Sequence, residues 1–386
     1  MIPRQLKTEL LQQLSEYPIV TVIGPRQAGK TTLVRTILPD YDYVSLENPE
    51  TRHLALDDPK AFLALHPGQV IFDEIQRTPE LLSYLQGIVD ERGQNGQFVL
   101  TGSHQLQLRE AITQSLAGRT GLLHLLPLSM AEMDAAKIRF DTFEDYLFHG
   151  FLPRVHDQRQ RPYTAYGNYY QTYVERDVRQ LIRLKDATLF EKFLKLLAGR
   201  VGQIINYQSL AGDVGVDAKT IKQWISILEA SYIVFPLPPY FENFGKRVIK
   251  TPKYYFTETG LLCYLLGIEK KEQISRDPLI GSLFENLVVL EALKSRYNQG
   301  AAPNLYFFRD SHGHEIDLLH KSGRNLTGVE IKAAATWHRS FKTQLQRFSK
   351  NAAPLSAAYV IYSGDPITFS DGVKAMKYTE AAEIFT

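Results

Sequence analysis

The sequence predicts an α/β fold in three modules: an α/β sheet, a helix-turn-helix with a wing, and a second α/β module toward the C-terminal end. Three observations predict it. A glycine-bounded loop carrying a lysine joins a short apolar strand to a helix over residues 18–37. Two short helical patterns separated by a turn precede two strand-like runs over residues 205–256. A helix followed by three strands, with acidic residues and a lysine among them, fills residues 281–332.

At 386 residues the chain exceeds one typical core. The expected boundaries are 1–145 for the first α/β core, 146–200 for a helical linker or lid, 201–265 for the winged helix-turn-helix and 266–386 for the second α/β module. The formal net charge of +2 is too small to imply a nucleic-acid partner, which must be argued from local patches. The single cysteine, Cys263, excludes an intramolecular disulfide and a cysteine-rich zinc site, and it fits a reducing compartment. No apolar run is long enough to span a bilayer, and the first residues lack the apolar core of a secretory signal. A cytoplasmic location without a membrane partner is therefore expected.

Leu6, Leu10, Leu11 and Leu14 fall on one face of a helix leading into the first strand. Residues 18–23 read as that strand and 32–37 as the first turns of the next helix. Between them, Gly24-Pro25-Arg26-Gln27-Ala28-Gly29-Lys30-Thr31, followed by Thr32, fits the phosphate-binding loop pattern. Glycines let the backbone curl until its N–H groups face the phosphates, and the helix N-terminus adds partial positive charge there. Lys30 would reach the β- and γ-phosphates and the Thr31 hydroxyl would ligate Mg²⁺, so ATP and Mg²⁺ are the expected cofactors. The competing reading, a Gly-rich turn with a chance lysine, is outweighed by the full pattern in its strand-to-helix context.

Residues 41–46 read as a second strand and 48–65 as helical in pieces. Val70-Ile71-Phe72-Asp73-Glu74 runs apolar residues into two carboxylates at a strand end, where open α/β sheets place their ligands. Asp73 would hold Mg²⁺ through water, and Glu74 would orient or deprotonate the attacking water. Residues 97–103 form another strand ending in small polar residues. Arg119 precedes the apolar run 122–128 and has two readings: an arginine finger supplied in trans, which implies a homo-oligomer, or a structural arginine in a turn.

Residues 143–155 mark a boundary, and a long helical stretch starts at 169. Arg176, Arg179 and Arg183 would share one helix face, read either as a solvated charged face or as a contact with nucleotide, a neighbouring subunit or DNA. Over 205–235, a short helix from Tyr207, a turn at 212–215 and a second helix over 218–229 give a helix-turn-helix rhythm, with Ile221, Ile225 and Leu228 facing inward. Residues 233–237 and 253–256 would be the wing strands, and the loop between them carries Lys246, Arg247, Lys250 and Lys253 to grip phosphate. DNA is the partner this suggests. The second helix offers few arginines for base edges, so a winged helix used only for packing stands beside that reading.

Residues 281–293 read as an amphipathic helix, and 304–309, 314–319 and 326–331 as strands, the last continuing into Lys332. Glu330 and Lys332 share a strand face, with Asp317 on the adjoining strand. An Asp followed by Glu-x-Lys is a metal-nuclease constellation. Asp317 and Glu330 would bind Mg²⁺, the metal would activate water, and Lys332 would orient it or offset charge at the phosphorus. Glu285 on the preceding helix would complete the ligand set. A charged strand edge with Lys332 in solvent is the plainer alternative.

Taken together, residues 24–32, 70–76, 100–103, 172–181, 228–229, 237–240, 246–247, 250–253 and 258–261 resemble a bacterial and archaeal family of AAA-superfamily P-loop ATPases with a C-terminal domain of unknown function. The C-terminal third resembles the PD-(D/E)XK nuclease superfamily, with Glu285, Asp317, Glu330 and Lys332 intact in residue type. The family more often carries Asp at Glu258. The resemblance implies an AAA-type P-loop core, a winged helix and a restriction-endonuclease-like α/β domain, with ATP hydrolysis coupled to the later modules. It also implies that a polar residue at the end of the 97–103 strand touches the γ-phosphate or the lytic water; Ser103 is the candidate and Thr101 the reserve, and a strand-to-helix cap is the plainer reading beside it. A switch or remodeller whose C-terminal part binds without cutting is the competing function.

Overall fold

Ile19–Ile23 (β1), Val70–Asp73 (β3) and Phe98–Gly102 (β4) are buried at every position, as the interior strands of a parallel sheet covered on both faces must be. The computed structural model of the protein describes residues 2–103, 115–182, 186–240 and 251–385. The three strands lie in a five-stranded sheet of order β2-β3-β4-β1-β5, all neighbours parallel. Its edges, Asp42–Ser45 (β2) and Thr120–His124 (β5), are only partly buried. The order places β4 between β1 and β3, with Gly102 beside Ile23 and Leu100 beside Phe72. The carboxyl ends of these strands therefore stand side by side.

The helices around this sheet start where local chemistry lets them. Lys7–Glu16 (α1) buries Leu10 and Leu14 along with the preceding Leu6, whereas Leu11 points away and is 44% exposed. Lys30–Ile37 (α2) begins directly after Gly29, whose φ of 92° is left-handed. Asn48 caps Pro49–Asp57 (α3) by accepting from Glu50 N and Thr51 N, and Asp58 caps Pro59–Ala64 (α4) through Ala61 N. Leu81–Arg92 (α5) follows β3 after a single 3₁₀ turn at Ile75–Arg77.

The chain divides into two compact units. The first is Met1–Leu128 with Ala230–Tyr232 and Tyr297–Ala301; the second is Ser129–Glu229, Ile233–Arg296 and Ala302–Thr386. The second unit opens with Met130–Ala135 (α6), held by a reciprocal capping box between Ser129 and Glu132. Phe143–His149 (α7), Pro153–Asp157 (α8) and Pro162–Tyr169 (α9) follow, and α9 runs into a π-helix at Tyr170–Val178. The expected arginine row rested on α-helical spacing. The i→i+5 turn widens that spacing through Val178, and Arg183 lies outside the described residues.

Ala187–Ala198 (α10) precedes Tyr207–Val214 (α11), which Asn206 caps and Gly215 ends at a φ of 99°. In Ala218–Ala230 (α12), Ile221, Ile225 and Leu228 are buried as the spacing predicts. Val234–Leu237 (β6) and Lys253–Phe256 (β7) pair antiparallel. Lys246, Arg247 and Lys250 lie outside the described residues. Lys253 corrects the expectation of a basic loop: it is the first residue of β7 and only 3% exposed.

Thr259–Leu265 (α13) leads to Ile280–Asn298 (α14). This helix was expected to be amphipathic, yet Leu283, Phe284 and every residue from Asn286 to Ser295 are buried. Such burial requires its polar side chains to be paired. Asn286 brackets the backbone of Phe256, accepting from its N–H at 2.7 Å and donating to its carbonyl at 3.0 Å. Glu291 accepts from Lys294 Nζ at 2.8 Å and from Met130 N at 2.8 Å. Last comes a six-stranded mixed sheet of order β12-β13-β11-β10-β9-β8. Its strands are Leu305–Arg309 (β8), Glu315–Ser322 (β9), Asn325–Lys332 (β10), Ala357–Tyr362 (β11), Ile367–Thr368 (β12) and Lys374–Lys377 (β13). Among the described residues no helix is long and apolar enough to cross a membrane.

Candidate functional site

The loop after β1 is tied down from several directions. Arg4 donates from Nη1 to Ala28 O and from Nη2 to Leu126 O, each at 2.6 Å. A side chain at Gly24 would put its Cβ 2.0 Å from the carbonyl oxygen of Leu125, so only glycine lets the loop leave the strand here. Gln27 and Gly29 both hold left-handed φ values, of 64° and 92°. Lys30 folds back over the loop and donates to Gly24 O at 2.9 Å and Pro25 O at 2.8 Å. Burial pulls its ammonium down to about 8, opposed by the nearby Glu74 and Asp73 and assisted by Arg26.

Asp73, at the end of β3, gathers three hydroxyls. Thr31 Oγ1 is 3.0 Å from each of its carboxylate oxygens, Tyr43 OH donates to Oδ2 at 2.8 Å, and Thr101 Oγ1 donates to Oδ1. Burial and the bond to Asp73 push the Tyr43 phenol up to about 12. Glu74 follows in a left-handed conformation, φ 60° and ψ 44°, uncommon for a residue with a side chain. Its N–H points to Thr101 Oγ1 at 3.3 Å, and its Oε2 accepts from Ser103 Oγ at 3.1 Å and from Gln76 Nε2. Lys30, Thr31, Asp73, Glu74, Thr101 and Ser103 are thus brought to one sheet edge.

The donor set fits a magnesium nucleotide. A threonine hydroxyl in contact with a strand-end carboxylate is the pair that takes Mg²⁺ beside a phosphate loop. The two carbonyls that Lys30 now occupies hold its ammonium beside that loop. Sequence reasoning missed Arg4, Tyr43 and Gln76. Arg4 and Tyr43 carry no motif signal, whereas Gln76 stands two residues after Glu74 and was within reach.

Arg119 sits at the opposite edge of the sheet. Thr120 pairs with Ile19 and His124 with Ile23, so Arg119 precedes the amino end of β5 while the phosphate loop follows the carboxyl end of β1. A strand of that length spans about 15 Å. The guanidinium is engaged by Asp90 at 2.6 and 2.8 Å. It does not serve the site of its own chain.

In the second unit, Glu285, Asp317, Glu330 and Lys332 also come together, but around ammonium groups. Lys332 Nζ lies 2.8 Å from Glu330 Oε2 and 3.2 Å from Asp317 Oδ2, and the Asp317 carboxylate also accepts from Ile331 N at 2.8 Å. Lys253 Nζ lies 2.9 Å from Glu285 Oε1 and 2.5 Å from Glu315 Oε1, while Tyr255 OH donates to Glu285 Oε1 at 2.5 Å. Burial lowers the Lys253 pKa less than Glu285, Glu315 and Asp317 raise it, so the net shift is upward. Burial, with Asp317 alongside, holds the Glu330 carboxyl well above the usual range, and burial raises that of Glu285. Among the described residues, no group of three or more His, Cys, Asp or Glu side chains stands in an arrangement that could hold a metal ion. Lys253 and Lys332 thus stand among the expected ligands Glu285, Asp317 and Glu330. Lys253 and Glu315 were not foreseen as members.

Three family models match the chain: the AAA domain over residues 16–134, a domain of unknown function (DUF8612) over 140–272, and a domain of unknown function (DUF4143) over 280–381. The chain is 33% identical over 341 residues to the uncharacterized protein Rv2008c of Mycobacterium tuberculosis, a match covering 86% of this chain and 74% of that one. It is 25% identical over 362 residues to the uncharacterized protein MJ1637 of Methanocaldococcus jannaschii, covering 79% of this chain and 71% of that protein. Among solved structures it is similar to the Walker-type ATPase PABY2304 of Pyrococcus abyssi. The TM-score is 0.46 at 16% identity, over 69% of this chain and 96% of that one.

Proposed function

We propose that the chain, which belongs to the AAA P-loop ATPase family with a C-terminal DUF4143 domain, hydrolyses ATP and uses the cycle to act on nucleic acid through its second unit. The observation that carries the ATPase reading is the convergence of Lys30, Thr31, Asp73 and Glu74 at one sheet edge. Lys30 binds the β- and γ-phosphates; Thr31 and Asp73 would hold Mg²⁺, which would neutralise charge on those phosphates. Glu74 accepts a proton from water as the water oxygen bonds to the γ-phosphorus. The bond from that phosphorus to the bridging oxygen breaks, and its electron pair leaves with ADP. Ser103 supports Glu74 at one of its oxygens. Arg119 serves the site of another copy.

The nucleic-acid part rests on the order α11, α12, β6, β7, two helices and a hairpin read as a winged helix. A second reading of the C-terminal module is favoured by one observation. With Lys253 and Lys332 holding its carboxylates, the module binds a partner without cutting it. ATP turnover measured with and without single- and double-stranded DNA tests the proposal. Stimulation by either form supports it; equal rates throughout point to a protein partner. Cleavage of any DNA form with Mg²⁺ or Mn²⁺ would overturn the binding-only reading.

A further inference from the structure

We infer that Gln76 is a positioning residue for the hydrolytic water, acting through Glu74; this rests on the ATPase reading above. Gln76 stands in the 3₁₀ turn that follows β3. The left-handed backbone at Glu74 turns the chain between them, so the two side chains meet although only one residue separates them. Gln76 Nε2 donates to Glu74 Oε2 and lies 3.3 Å from Ser103 Oγ, itself 3.1 Å from the same carboxylate oxygen. One amide thus bridges the tips of β3 and β4.

Two consequences follow from the donor and acceptor inventory. The negative carboxylate fixes which end of the amide faces it, because an amide oxygen turned toward Glu74 would meet a second acceptor. With Oε2 holding both donors, Oε1 of Glu74 is the oxygen that receives the proton of the attacking water. The other end of the amide carries the second observation. Gln76 Oε1 is buried and accepts no hydrogen bond from the described residues. A carbonyl withdrawn from water without a donor is costly to keep. It is satisfied when a donor arrives with the nucleotide, and the attacking water supplies one. Gln76 then restrains the carboxylate with its nitrogen and the orientation of the water with its oxygen.

The test uses the full chain with saturating Mg²⁺, and reads kcat, KM for ATP and the affinity for a fluorescent ATP analogue. Gln76→Ala is expected to lower kcat by about 10- to 100-fold with KM and analogue affinity within about twofold of the parent. Gln76→Asn, which keeps the amide but shortens its reach, falls between the two. Gln76→Glu sets a carboxylate against Glu74, and like charges raise carboxyl pKa values. The substitution also removes the donor that faces Oε2, so kcat should fall at least as far as in Gln76→Ala while KM and analogue affinity stay near the parent's, a split that a purely structural role would not produce. A kcat within about twofold of the parent in Gln76→Ala or in Gln76→Glu overturns the inference. Should Gln76→Ala fail to fold, as read by its melting temperature, the other two variants decide by the same measures. A parent chain that turns over no ATP overturns the ATPase reading itself, whereas a parent that turns over ATP alongside an equally active Gln76→Ala overturns only the role of Gln76.

Discussion

Lys253 Nζ lies 2.9 Å from Glu285 Oε1, joining the first residue of β7 to helix α14 through a buried ion pair. The ammonium is shared with Glu315 at 2.5 Å, and Tyr255 adds a phenol hydrogen bond to Glu285 at 2.5 Å. Removing one partner from such a group leaves an uncompensated buried charge, which costs about 3–5 kcal/mol. Lys253→Ala should therefore shift the urea midpoint of the second unit strongly downward. Lys253→Met combined with Glu285→Gln should recover part of the loss and not all of it, because Glu315 is then left with Arg309 at 3.4 Å as its ion-pair partner. Trp224 and Trp337 are the chain's two tryptophans, and both lie in the second unit, so fluorescence reports that unit alone. An unchanged midpoint in Lys253→Ala would show that the pair contributes nothing.

The same ammonium competes with any cation for the carboxylates around it. Two unit charges about 4 Å apart at an effective dielectric near 20 interact by about 4 kcal/mol. Manganese should therefore bind the second unit of the parent weakly, and Lys253→Met should bind it at least about tenfold more tightly. Electron paramagnetic resonance of free Mn²⁺, with Lys253→Met/Asp317→Asn as the background, isolates this site. Equal affinity in parent and Lys253→Met would show that the lysine does not guard the cluster.

The first sheet was legible because its strands are continuous apolar runs ending in the residues that do chemistry. Val70–Asp73 and Phe98–Gly102 needed no partner information to be recognised. What could not be read was which strand lies beside which. Insertion of β4 between β1 and β3 is a long-range fact, and it is what turns Thr101 toward Asp73 and Ser103 toward Glu74. Lys253 was misplaced for a related reason. A lysine near other basic residues reads as a surface charge, because burial by Glu285 and Glu315, 32 and 62 positions later, leaves no local trace. Helix α14 shows the same limit: residues 281–293 read as amphipathic, yet Glu291 on that helix pairs with Lys294 inside the core.

Thr101 and Ser103 make different contacts and should fail differently. Thr101 donates to Asp73, the carboxylate proposed for Mg²⁺, whereas Ser103 donates to Glu74. Thr101→Val should raise the Mg²⁺ concentration needed for half-maximal turnover several-fold, with a smaller effect on the limiting rate. Ser103→Ala should leave the Mg²⁺ requirement alone and lower kcat by about tenfold, the scale of one lost hydrogen bond to a charged group. Magnesium titrations of steady-state turnover in the two variants separate the roles. Identical profiles would mean that the two hydroxyls act as one.

Glu74→Gln should bind ATP like the parent and turn it over about 100-fold or more slowly, since an amide cannot accept the water's proton. Single-turnover chemical quench gives the rate, and analogue binding gives the affinity. Turnover at the parent rate would remove Glu74 from the reaction.

Lys30 gives nucleotide binding a pH dependence whose sign can be worked out. In the unliganded chain burial draws its pKa from 10.5 down to about 8. Phosphate oxygens beside the ammonium favour its charged form, so binding raises that pKa. Below about pH 8 the ammonium is already present and affinity is level. Above it the unliganded lysine is neutral, and binding must draw a proton from solvent. Affinity therefore falls as pH rises, by up to about tenfold per unit until the pKa of the bound state is reached. A fluorescent ATP analogue titrated between about pH 7 and 9.5 should show a dissociation constant that is flat at first and then climbs by about tenfold. Lys30→Arg is the control. A guanidinium stays protonated throughout this range, so its affinity, although weaker for want of the ammonium's compact fit, should not bend. A level curve in the parent would mean that Lys30 keeps its proton despite its burial, and that Asp73 and Glu74 hold the charge in place before any phosphate arrives.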